Sequence, residues 1–114
     1  MRIYRRAEFL KLPEGTFFCK GEPWVFGPLS VKGETVTFDG GRDFFYQHFD
    51  WVDGDDAGEC FDRLERMLAH GEAYPMINGI TRDGGFNDAA LFLVYEKADL
   101  LRIREMIDAA TALP

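Results

Sequence analysis

Cysteine and histidine are scarce: the 114-residue chain has two of each, at Cys19, Cys60, His48 and His70. Neither cysteine has a Cys or His neighbour at metal-ligand spacing, so both are expected to be buried thiols in a reducing compartment. His48 alternates with aromatic residues along an expected strand, and His70 ends an expected helix, where the dipole favours a cation. With no nucleophile or metal partner beside either, both are read as structural. A nucleophile elbow, a P-loop, a dinucleotide fingerprint and paired histidines one helical turn apart are all missing, so nothing points to an enzyme or to a bound cofactor. No run approaches the roughly 20 apolar residues of a membrane span, and Met1-Arg-Ile-Tyr-Arg-Arg6 leads into no apolar signal region. A cytosolic location is expected. Basic charge is also in deficit: the net charge of −7 and a pI near 4.7 work against binding a DNA or RNA backbone, whose affinity comes from counterion release at a basic surface.

Apolar and aromatic residues are plentiful. With 46% hydrophobic and 15% aromatic residues, 11 of them Phe, the chain can build one core, and residues 1–114 are read as a single domain. A short helix over Arg5-Arg-Ala-Glu-Phe-Leu-Lys-Leu12 would bury Phe9, Leu10 and Leu12. Thr16–Lys20 is a strand. Trp24-Val-Phe-Gly-Pro28, held between prolines, is either an edge segment or a loop. Leu29–Phe38 alternates and carries Gly33-Glu34 at its midpoint, the pattern of a tight hairpin. Phe44–Phe49 has rings on both faces and is expected to be central in its sheet.

Asp56 with Glu59 resembles a capping box, opening a helix that buries Ala57, Phe61, Leu64 and Leu68 and stops at Gly71. Tyr74–Gly79 reads as an apolar crossing segment, Leu91–Tyr95 as a buried strand, and Leu100, Ile103, Ile107 and Ala110 as the inner stripe of a last helix. The fold class is therefore α+β: an antiparallel sheet of about four to six strands, two main helices packed on one face, and a short N-terminal helix.

Chemistry concentrates in the loop Gly79-Ile-Thr-Arg-Asp-Gly-Gly-Phe-Asn-Asp88. Arg82 offers a planar fork, Gly84-Gly85 allows backbone amides close to an anion, Phe86 can stack on a base and Asn87 can pair with a base edge. The same residues also suit an ordinary turn. Trp24, Phe26, Tyr46 and Trp51 can add an aromatic wall, and Arg5, in a small basic arm with Arg2 and Arg6, can complete a phosphate site. The acidic run Asp50, Asp53, Asp55, Asp56 and Glu59 lacks the spacing of a calcium loop, and no metal is expected.

Ala7–Thr16, Asp43–Gln47 and Leu91–Leu100 resemble segments of small phage and prophage accessory proteins. That resemblance implies a cytosolic setting and an anti-defence role. Some such proteins sequester cyclic nucleotide or ADP-ribose-type immune signals, and others block a host defence protein by contact. The first reading makes this chain a non-enzymatic, homo-oligomeric sponge using Arg82, Phe86 and Asn87, assisted by Trp24, Tyr46 or Arg5. The second uses the acidic surface from Asp50 to Glu65 against a basic target.

Overall fold

The computed structural model describes residues 1–49, 52, 54–76 and 79–114. In chain order these form β1 (Arg2–Arg5), α1 (Arg6–Phe9), β2 (Phe17–Gly21), β3 (Phe26–Phe38), β4 (Gly41–His48), α2 (Ala57–His70), β5 (Ile80–Arg82), β6 (Leu91–Val94) and α3 (Lys97–Thr111). The fold is α+β: the strands make a six-stranded sheet in the order β1-β6-β2-β3-β4-β5, with every described neighbour antiparallel. The apolar strand Leu91–Val94 has Leu91, Phe92 and Val94 buried, and it sits between β1 and β2. A strand apolar on both faces needs neighbours on both edges and cover on both sides. For the same reason β4 lies inside the sheet, between β3 and β5.

The core is built of rings. Phe9, from α1, stacks on Phe92 with centroids 4.0 Å apart, and Phe18 and Phe44 tilt against it at 4.7 and 5.1 Å. Leu10, Ala90 and Val94 complete this cluster, with Tyr4, Leu12 and Tyr46 at its margin. Both cysteines are buried free thiols.

Two expectations are corrected. Gly33-Glu34 does not turn a hairpin: β3 runs on from Phe26 to Phe38, and the pair sits where its register with β4 shifts between Lys32 and Thr35. The reversal comes instead after Phe38, which pairs with Gly41. A Cβ on Gly33 would lie 3.1 Å from the Phe45 carbonyl oxygen, so the glycine serves close backbone approach in a bulge rather than a turn. Pro28 is tolerated within β3 because β4 is registered only as far as the Ser30–His48 pair among the described residues, which leaves Phe26–Leu29 paired with β2 alone.

The second correction concerns the helices. α2 is capped as expected: the Asp56 side chain accepts from the Glu59 amide at 2.8 Å, and Gly71 ends it with φ +65°. Yet α2 buries only Cys60, and Phe61 and Leu68 are 58% and 90% exposed. α3 buries no residue at all, and Ile107 of its expected inner stripe is 55% exposed. Leu64, Leu100 and Ile103 are half-buried, so among the described residues only part of each expected stripe is covered. Among the described residues, no helix is long and apolar enough to cross a membrane.

Lys32 is the unusual polar member of the interior, 2% exposed. Its Nζ donates to Thr35 Oγ1 at 2.7 Å and to the Gly33 carbonyl at 3.2 Å, and among the described residues no carboxylate pairs with it. Burial pushes its amine below the ordinary lysine value of 10.5, with Glu14 opposing and Arg42 adding to the shift. The folded state thus holds this proton less tightly than the unfolded chain does. The cost of the charge is full below the lowered folded value and disappears as pH rises to 10.5. Urea midpoints measured from pH 7 upward should show the Lys32→Met variant losing its relative advantage over the parent with rising pH. A pH-independent difference would contradict this account.

Candidate functional site

The loop after β5 is tied to the sheet by two buried carboxylates. Asp43, fully buried in β4, faces Arg6 Nη2 at 3.4 Å and Arg82 Nε at 2.9 Å, and it accepts from the Gly84 amide at 3.0 Å. Asp83 accepts from Arg6 Nη1 at 3.2 Å, Lys20 Nζ at 2.8 Å and the Gly85 amide at 3.3 Å. Arg6 also donates to the Arg42 carbonyl at 2.9 Å. Three cations thus compensate two carboxylates, which is what burial of charge requires. Burial alone would lower the Lys20 amine, but the hydrogen bond and charge of Asp83, helped by Glu22, raise it above 10.5, so it stays cationic.

Of the residues expected to form a site, Arg82, Gly84, Gly85 and Phe86 come together, and each also has a partner within the chain. Arg82 spends Nε on Asp43 and lays its guanidinium over Phe38 and Phe86 at 5.2 and 6.0 Å. The amides of Gly84 and Gly85, which could cradle a ligand anion, hold Asp43 and Asp83. Phe86 has φ +49°, the one positive value of a non-glycine residue among those described, and is held there by Phe38 edge-on and by the Arg6 guanidinium at 5.6 Å. Asn87 donates to Glu22 at 3.0 Å and caps the Ala89 amide. Trp24 and Arg5 share a separate cavity with Ile3, Pro23, Ala89 and Leu91, and Trp51 lies outside the described residues.

The chain matches no protein-family model, no curated protein and no solved structure. The site must be read from its own geometry.

Tyr46 belongs to a cleft of about 290 Å³ beside the tethered loop. Phe18, Phe26, Phe44 and Tyr46 line it with their rings, and Lys20, Glu22, Asp83 and Ser30 supply the polar lining. The Tyr46 hydroxyl makes no hydrogen bond to any described residue. An aromatic lining with a few convergent polar groups is the usual composition of a small-molecule site, and the volume is near the lower limit of about 300 Å³, enough for one ring system. Sequence reasoning missed Lys20, Glu22, Asp43 and Asp83. The available signal was Asp43 itself, a carboxylate directly before the Phe44-Phe45 pair of a central strand, where only a partnered charge is tolerated.

The basic arm divides in the structure. Arg2 pairs with Glu96 at the start of α3, Arg5 is exposed, and Arg6 is buried in the carboxylate network. In the acidic run, Asp50 and Asp53 lie outside the described residues, while Asp56 caps α2 and Glu59 pairs with Arg63.

Proposed function

We propose that the protein is a non-enzymatic binding protein that sequesters a small nucleotide-type ligand, with a base in the cleft over Phe18, Phe44 and Tyr46. The observation that carries this reading is the cleft itself, in which the rings of Phe18, Phe26, Phe44 and Tyr46 are lined together with Lys20, Glu22, Ser30 and Asp83. Of the two carboxylates at the lining, Asp83 is already engaged by Arg6 and Lys20, which leaves the more exposed Glu22 to accept from the amino edge of a base. The phosphate portion would therefore point outward. The resemblance to phage accessory proteins supplies the setting, in which the ligand is a cyclic nucleotide or ADP-ribose-type immune signal held without turnover.

Native mass spectrometry with a panel of cyclic di- and trinucleotides and cyclic ADP-ribose isomers tests this. A ligand mass should be retained and then released chemically unchanged on denaturation. Tyr46→Phe keeps the ring and removes one hydrogen bond, so it should weaken retention about tenfold. A chain that ignores the entire panel sinks the reading.

A second reading, an inhibitor docking on a basic host protein, is favoured by the exposed acidic side chains Asp55, Asp56, Asp62 and Glu65. Such a complex would weaken steeply with added salt.

A further inference from the structure

The polar side of the cleft is organised around Glu22. Its Oε1 lies 3.2 Å from Lys20 Nζ, and its Oε2 accepts from Asn87 Nδ2 at 3.0 Å, so the carboxylate is held at both oxygens. An ionised carboxylate has about four acceptor sites, two on each oxygen. Among the described residues one site on each oxygen is used, which leaves two acceptors side by side. Asp83 offers no such pair, since its Oδ1 takes Lys20 and its Oδ2 takes both Arg6 and the Gly85 amide. Lys20 is open in the opposite sense. Its ammonium carries three donors, and those directed at Asp83 and Glu22 account for two.

The cleft thus sets one donor next to two adjacent acceptors, beside the rings of Phe18, Phe26, Phe44 and Tyr46. The complementary edge has one acceptor followed by two adjacent donors, and it belongs to a planar ring. A guanidinium would supply the parallel donors, but it brings a positive charge against Lys20, which stays cationic. Among the common bases, guanine alone has the required order, in its O6, N1–H and exocyclic 2-amino group. Adenine and cytosine put an amine next to a bare ring nitrogen. Uracil and hypoxanthine have an N–H on that edge but no amine.

We infer that the cleft takes a guanine-type base, with its keto oxygen on Lys20 and its N1–H and 2-amino group on Glu22. This rests on the nucleotide reading above and narrows it to one class of base. Asn87 is a positioning residue, acting through the Glu22 oxygen that it holds.

The test is an amide-shift titration of the full chain with the 5′-monophosphates of guanosine, inosine and adenosine, which share ribose and phosphate and differ at the base edge. Shifts are expected at Lys20, Glu22, Ser30 and Gly85. The guanosine nucleotide should bind about tenfold tighter than the inosine nucleotide, which lacks only the 2-amino group. Glu22→Gln replaces one acceptor oxygen by an amide donor, so that preference should fall to about twofold or less. The Glu22 side chain is 57% exposed, so the variant keeps the fold, which its urea midpoint checks. Equal affinity for the guanosine and inosine nucleotides overturns the inference, as does a Glu22→Gln variant that keeps the preference. A cleft that ignores all three monophosphates yet retains a cyclic ligand in the mass spectrum overturns this inference alone. Indifference to both sets overturns the nucleotide reading with it.

Discussion

Asp43→Ala should destabilise the chain by about 3–5 kcal/mol, the cost of breaking a buried ion pair by removing one partner. Asp43 is fully buried and answers two guanidinium groups and one backbone amide. Without it, Arg6, 4% exposed, retains Asp83 and the Arg42 carbonyl but loses part of its compensation, and the Gly84 amide loses its acceptor. Against a typical domain stability of about 5–15 kcal/mol, such a loss leaves the fold marginal. The urea midpoint should fall accordingly, with Tm dropping by roughly 10–20 °C. Hydrogen exchange supplies the local readout: the Gly84 amide should exchange much faster even where the sheet stays protected. A variant within 1 kcal/mol of the parent would show that the network contributes little, and that the loop is held by Phe86 packing instead.

The same residue marks the boundary of what the sequence could reveal. Leu91–Val94, the caps Asp56 and Gly71, and the inner position of β4 were legible, because each rests on local periodicity or a local hydrogen bond. Gly33-Glu34 misled because glycine followed by a polar residue suits a hairpin turn and a bulge alike. Only the pairing of β4 with both halves of β3 separates them. The helix stripes were visible, but an amphipathic pattern states that a face needs cover without naming what covers it.

The loop 79–88 carries glycines, an arginine and a ring, and the Gly84 and Gly85 amides and Arg82 Nε are engaged by carboxylates of the chain itself. The Gly84 amide meets Asp43 across 41 positions of sequence, a separation at which no spacing rule operates. Tyr46 was singled out as an aromatic side chain. Its value as a polar handle came into view only when β2, β3 and β4 placed Phe18, Lys20 and Phe44 around it.

Phe9→Ala should cost about 3–5 kcal/mol, the range for deleting a buried phenyl ring. α1 has only four residues, too few to hold helical shape by its own hydrogen bonds, so its position depends on what it packs against. Phe9 supplies that packing: it is fully buried and meets Phe18, Phe44 and Phe92, from three different strands, within 5.1 Å. Removing the ring opens a cavity whose walls belong to separate strands and so can collapse only partly. Arg6 precedes Phe9 by one helical turn, so a displaced α1 also withdraws the guanidinium from Asp43 and Asp83. The loss should therefore exceed that of a core phenylalanine with no polar dependants. A double-mutant cycle with Asp43→Ala measures this: the two effects should sum to more than the doubly substituted chain loses, with a coupling of about 0.5–3 kcal/mol. Strict additivity would mean that the aromatic core and the carboxylate network are independent, and that α1 does not transmit the state of one to the other.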